Sequence, residues 1–328
     1  MAKLTQWSTS PAAVAYCVMA ALIAPSLPAH AQDLRGITRA QVTNDLENSN
    51  IGAGYAQMLN FFSDPSISAS YLEADDGTEY DVFKLPLQYE VPINDRGWQL
   101  ALRGTLSHAT AENTFSIIEG ERIEGSWEAS SGQLGAGLIV PFTEELSWFV
   151  AGQLGVSRLK NEADYRGPIS KDILAPLVDG ILFNWDTNAT IAGVSGGLDY
   201  RQRFADTYNL DLTARYTYSQ IDSYSESRDL ASFSEDTGTV SITADLDHPW
   251  NMALGNLPLF GTVHAGGTAF TGPNRDTLGF SHFYLLGYSI GIKVGETNRY
   301  FDSFSVGAHA NFGSDVEGYS LRFAWQLK

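Results

Sequence analysis

The sequence predicts an all-β fold: a transmembrane, antiparallel, up-and-down β-barrel of about twelve strands. Three observations predict it. The chain opens on an export signal. From about residue 66 onward its apolar residues recur with period two, the spacing of strands that set one face against apolar surroundings. The connections between those strands alternate short and long, as they do in barrels with short periplasmic turns and longer outer loops.

Taken from the N-terminus, residues 1–31 read as a signal peptide. Lys3 precedes an apolar run from Val14 to Pro25, and the small-x-small triplet Ala29-His30-Ala31 places cleavage between Ala31 and Gln32. The run holds Pro25 and falls short of the roughly 20 apolar residues that cross a bilayer. A lipoprotein signal would need a small residue before Cys17, and Tyr16 stands there. Cys17 is the single cysteine and lies in the removed part, so the mature chain is expected to hold neither a disulfide nor a cysteine-based metal site. The formal charge of −18 would repel nucleic acid, and no nucleic-acid partner is expected. After the leader no stretch resembles a membrane helix, and only helices and closed barrels satisfy their backbone in lipid.

Residues 32–65 form an N-terminal segment without alternation. Within 36–62 the residues Ala40, Leu46, Tyr55, Met58 and Leu59 stand among Asn, Gln and acids with modest helical periodicity. Two readings remain open there, a short helix inside the lumen or a periplasmic leader.

Residues 66–328 carry the barrel. The clearest strand is YNLDLTARYTYSQ, where Tyr208, Leu210, Leu212, Ala214, Tyr216 and Tyr218 share one face and Asn209, Asp211, Thr213, Arg215, Thr217 and Ser219 share the other. GWQLALRGTLSH, TVSITADLDH, HFYLLGYSIGIKV and GYSLRFAWQLK divide in the same way. Weaker runs begin near Ile67, Phe83, Leu134, Trp148, Ala192, Leu259 and Phe304. Each strand is expected to span about 9 to 11 residues. The even-numbered connections are PINDRG, TEEL, RFADT, WNMALGNLP and GETNR; the odd ones include EADDGTE, 109–130, 161–188, 223–238, 271–281 and GSDVEG. Both chain ends are expected on the periplasmic side. Interfacial aromatic belts are expected from Tyr89, Trp98, Phe142, Trp148, Tyr200, Tyr208, Trp250 and Trp325 at one end and from Tyr71, Tyr218, Phe270, Tyr284, Phe312 and Tyr319 at the other. Pro86 interrupts the second strand, and a bulge is expected there because proline removes a ladder donor.

With the apolar faces turned to lipid, the opposite faces put Arg103, Asp199, Asp211, Arg215, Asp245, Asp247, His264, Lys293, His309 and Arg322 along the lumen. They brace the wall or, on the second reading, line an ion path. No catalytic residue is expected: Ser281 and His282 are adjacent, so on a strand they point apart, and no G-x-S-x-G elbow occurs. No metal site is expected either, since TADLDH and EADD lack the glycine and terminal Glu spacing of a calcium loop, and no cofactor is implied. Within 161–188 the run LAPLVDGILFNW is apolar enough to dip into the rim or recruit another protein.

On this strand count, the short pre-barrel segment and the short interval between Ala31 and the first strand, the chain resembles the solitary autotransporter-like outer-membrane barrels that lack a passenger. The resemblance implies an integral outer-membrane domain, relatives that carry a passenger to the cell surface, and partners in outer-membrane lipid and in the barrel-assembly machinery through the C-terminal strand. The end FAWQLK departs from the usual terminal aromatic, with Phe323 and Trp325 inset before Lys328. The expected function is a structural or translocator-like barrel without catalysis. A small outer-membrane channel is the alternative, and a lipid or ester hydrolase, which would need Ser, His and an acid clustered on one face near the outer rim, is the third. The oligomeric state is not legible in the sequence.

Overall fold

The computed structural model describes residues 51–61, 69–180, 183–205, 207–226, 232–295 and 297–327. Period-two sequence becomes β1 (Ala69–Ala74), β2 (Glu79–Pro92), β3 (Gln99–Ile118), β4 (Glu121–Pro141), β5 (Leu146–Arg166) and β6 (Trp185–Phe204) in the first half. The second half supplies β7 (Tyr208–Glu226), β8 (Ser234–Leu254), β9 (Leu257–Thr271), β10 (His282–Lys293), β11 (Phe301–Phe312) and β12 (Val316–Leu327). Each strand pairs antiparallel with its neighbours in sequence, and β1 pairs with β12 from Ala69↔Leu321 to Ala74↔Val316, which closes the barrel. Pairing the first strand with the last is the closure that lets a sheet lie in lipid.

Along each strand the side chains alternate between an exposed outer face and a buried inner one. Outside stand Leu102, Leu106, Leu134, Leu154, Val194, Ile242, Leu286, Val306 and Leu321; inside stand small or polar residues such as Ser107, Ser131, Ser157, Thr217, Ser241 and Ser320. Small inward residues follow from the narrow bore. At Gly197 a Cβ would meet the Ala214 carbonyl oxygen at 2.0 Å and the Phe149 ring at 2.7 Å, so only glycine lets that ring turn inward.

Some of the long connections are far shorter than the sequence suggested, while 271–281 joins β9 to β10 as expected. Residues 109–130 lie almost wholly in β3 and β4, joined by a turn at Glu119 and Gly120. Residues 161–188 hold the end of β5, a π-helical turn (Ser170–Leu174), the short α2 (Ala175–Val178) and the start of β6. WNMALGNLP likewise belongs to β8 and β9, with only Gly255 and Asn256 between them. Strands β3 to β8 therefore run well beyond the 9 to 11 residues needed to cross lipid, and the excess projects as hairpins at one end of the barrel.

Two further expectations change. Pro86 pairs with Thr105 in unbroken register, so the β2–β3 ladder carries no bulge there. One register shift does fall beside a strand proline, between Pro249 and Ala253 of β8. Phe270 is buried at 3% exposure rather than set in an interfacial belt, while Tyr71, Tyr284, Phe312 and Tyr319 do gather on the outer face, Tyr71 stacking on Tyr319 at 5.6 Å.

Helix α1 (Ile51–Phe61) lies inside the long-hairpin half of the barrel. Tyr55, Ala56, Met58, Leu59 and Phe61 join one core with Leu72, Val82, Leu159, Trp185, Ile191, Ile221, Phe270, Phe283 and Val316 from the inner wall. A helix apolar nearly all round is stable only when surrounded, and burying each large side chain is worth about 1.5–3 kcal/mol. The remainder of 36–62 lies outside the described residues.

Candidate functional site

The inner wall divides into two layers. Around α1 it is apolar: Tyr55 sets its ring 5.1 Å from Trp185 and donates its hydroxyl to the Lys160 carbonyl at 2.9 Å, and Phe61 meets Phe283 at 5.6 Å and Phe270 at 6.0 Å. Gly52 packs so close to Phe233 that a Cβ would stand 2.5 Å from its ring. Nearer the short-turn end the wall is polar, and the charged candidates sit there in phase with the buried residues of their strands.

They assemble into separate groups. Arg103 of β3 and Arg215 of β7 flank the Phe149 ring, their guanidinium carbons 5.4 and 4.7 Å from its centre, and Arg103 donates to Gln88 at 3.0 Å. With Lys84, Gln133 and Gln153 these arginines border a cavity of about 70 Å³. Asp199 accepts from Thr213 at 2.8 Å, and Asp211 pairs with Arg201 at 3.7 Å. Asp247 accepts from Thr262 at 2.6 Å. Lys293 ends β10 and is exposed.

The tightest group joins four of the ten. Asp245 of β8 meets His264 of β9 at 2.7 Å, Arg322 of β12 reaches Asp245 across the bore through both Nη atoms at 3.3 Å, and His309 of β11 sets its ring edge-on to His264 at 4.9 Å. Ser289 of β10 completes it, with Oγ 2.7 Å from His264 Nε2. Sequence reasoning missed Ser289, since it weighed only the adjacent pair Ser281 and His282. The signal lay in the register: short turns place Asp245 opposite His264, and His264 opposite Gly287, one inward step from Ser289. Among the described residues no cluster of three or more His, Cys, Asp or Glu has the arrangement of a metal site.

Residues 64–327 match the family described as the solitary outer membrane autotransporter beta-barrel domain. The chain belongs to that family. It is therefore an integral, transmembrane β-barrel of the outer membrane, set in lipid, and its family is one of autotransporter barrels that are typically translocators without catalysis. Among solved structures it is similar to the β domain of the Bordetella autotransporter BrkA, at 11% identity and a TM-score of 0.52, over 79% of this chain and 95% of that one. It is also similar to the translocator domain of the autotransporter NalP from Neisseria meningitidis, at 11% identity and a TM-score of 0.49, over 87% and 95%. The transport unit of AIDA-I from Escherichia coli matches at 11% identity and a TM-score of 0.46, over 80% and 91%. At such identity the BrkA likeness speaks to the fold: a closed antiparallel barrel of twelve strands with a short N-terminal helix. No curated protein matches the chain by sequence.

Proposed function

We propose that this solitary barrel is a plugged outer-membrane protein of structural or translocator-like role. Residues 1–31 are its export signal, cut between Ala31 and Gln32; residues 32–65 are the periplasmic or lumenal N-terminal segment that carries α1; and residues 66–328 make the wall, with both ends on the periplasmic side. The ten charged residues from Arg103 to Arg322 line and brace the lumen beneath the helix, and none is asked to perform chemistry for this role. The C-terminal strand, carrying Phe323 and Trp325 before Lys328, is the element offered to the barrel-assembly machinery.

The single observation that carries this reading is α1, buried on nearly every side within the barrel. A bore of about twelve strands has room for one helix, and one helix stands in it. The test is planar-bilayer conductance of the refolded mature protein beside a version lacking residues 32–62. A silent full-length barrel and a steady pore in the truncated one support the plug; equal conductance in both would replace it with the channel reading.

That second reading has its own observation. The cavity bordered by Lys84, Arg103 and Arg215 gives the lumen a cationic stretch in an acidic protein, so a pore through it would favour anions.

A further inference from the structure

Asp245, His264 and Ser289 stand on three consecutive strands, and their side chains form one relay. Asp245 Oδ1 is 2.7 Å from His264 Nδ1, and His264 Nε2 is 2.7 Å from Ser289 Oγ. A carboxylate can only accept, so the ring proton belongs on Nδ1, and Nε2 turns its lone pair to the serine hydroxyl. Arg322 Nη1 also comes within 3.0 Å of Nδ1, but the ring proton goes to the shorter, charged contact with Asp245, which both Nη atoms of Arg322 hold from the far side. This order of acid, imidazole and hydroxyl is the one that activates a serine in acyl transfer: the base takes the hydroxyl proton while the acid fixes the base's tautomer.

The surrounding wall keeps the relay in place. Gly307 faces the serine, where a Cβ would lie 2.0 Å from Oγ, and Gly287 faces His309, where a Cβ would lie 2.0 Å from the ring. Asp245 and Arg322 keep 26% and 25% side-chain exposure, so the relay opens on the lumen, while Ser289 itself is 2% exposed and admits only a small reactant. The neighbouring backbone amides of β9, β10 and β11 are committed to their ladders. Without free amides to hold an oxyanion, the site favours a single acylation over turnover.

We propose that Ser289 is an activated nucleophile, a covalent modification site for the acyl group of a small activated ester. Ser289 Oγ bonds to the acyl carbon and the ester C–O bond breaks. The hydroxyl proton passes to His264 Nε2 and from there to the departing alkoxide, leaving acyl-serine and free alcohol with Asp245 unchanged. This stands apart from the plugged-barrel role and survives its failure.

The experiment treats the refolded full mature protein with p-nitrophenyl acetate and follows nitrophenolate release, intact mass and the modified peptide. The expected result is one acetyl group per barrel, located at Ser289, absent in Ser289→Ala. In His264→Gln and Asp245→Asn barrels that keep heat-modifiable gel mobility, acylation slows by about 10²–10⁴-fold, the range of a general base. The pH profile of the unaltered protein supplies a second measure that needs no variant to fold: the rate levels off as pH rises instead of climbing in step with hydroxide. No adduct on Ser289, an adduct formed equally fast without His264, or a rate that climbs with hydroxide throughout would each overturn the proposal.

Discussion

Glu121 opens β4 and accepts from the amides of Ile169 at 3.1 Å and Ser170 at 2.7 Å, tying the π-helical turn to the β3–β4 hairpin. It stands at the projecting end of a 21-residue strand, beyond the part that crosses lipid. Burial pushes its carboxyl upward, but the two amide donors outweigh this and hold it below the ordinary value of 4.5. A carboxyl depressed by folding gives an anchor that is complete above the unfolded range and lost as pH falls through the folded value. The Ile169 and Ser170 amides should therefore be protected, relative to the unstructured rate at the same pH, at neutral pH and lose that protection below the ordinary carboxylate range, with Glu121→Ala unprotected at both, as read by hydrogen exchange. Gly167 is required beside it, with φ of +104° and space in which any Cβ would lie 2.3 Å from the Glu121 carboxylate. None of this was legible in the sequence, because the carboxylate and its donors stand 48 and 49 residues apart.

At the scale of elements, α1 gave only modest helical periodicity for a physical reason. A helix buried on all sides has no polar stripe, so the signal that marks amphipathic helices is weak in it. Its hold is also mixed: the apolar contacts are extensive, but the Gln57 amide is fully buried with no hydrogen-bond partner among the described residues, at a cost of about 1–3 kcal/mol. Leu59, 2% exposed in that core, is the side chain to truncate. Leu59→Ala should weaken docking by about 2–5 kcal/mol and turn a silent barrel into one with frequent openings in a planar bilayer, with gel mobility of the folded barrel unchanged. The long hairpins escaped notice for a related reason. Past the membrane the outer face meets water, so Glu112, Thr114 and Ser116 stand outside where lipid would demand apolar residues, and alternation fades although the strand continues.

At the scale of the molecule, the wall is stable only while its outer face matches lipid. Leu134 and Leu154 are cross-strand partners, 75% and 70% exposed to the surroundings. Leu134→Arg should cost about 2–4 kcal/mol if that pair lies at the bilayer midplane, read as a shift in urea-titrated folding into lipid vesicles; a polar exchange at solvent-facing Glu112 should shift it little. The sequence by itself determined the strand number and the antiparallel order, because period two and turn length are local and a closed antiparallel sheet admits only one simple arrangement of consecutive hairpins. Only the tertiary structure decided that α1 fills the long-hairpin half, that Pro86 needs no bulge, and that Asp245, His264, Ser289 and Arg322 meet. Those outcomes depend on closure and on register summed over several strands, and a contact between residues 77 positions apart, such as Arg322 with Asp245, leaves no local trace in either segment.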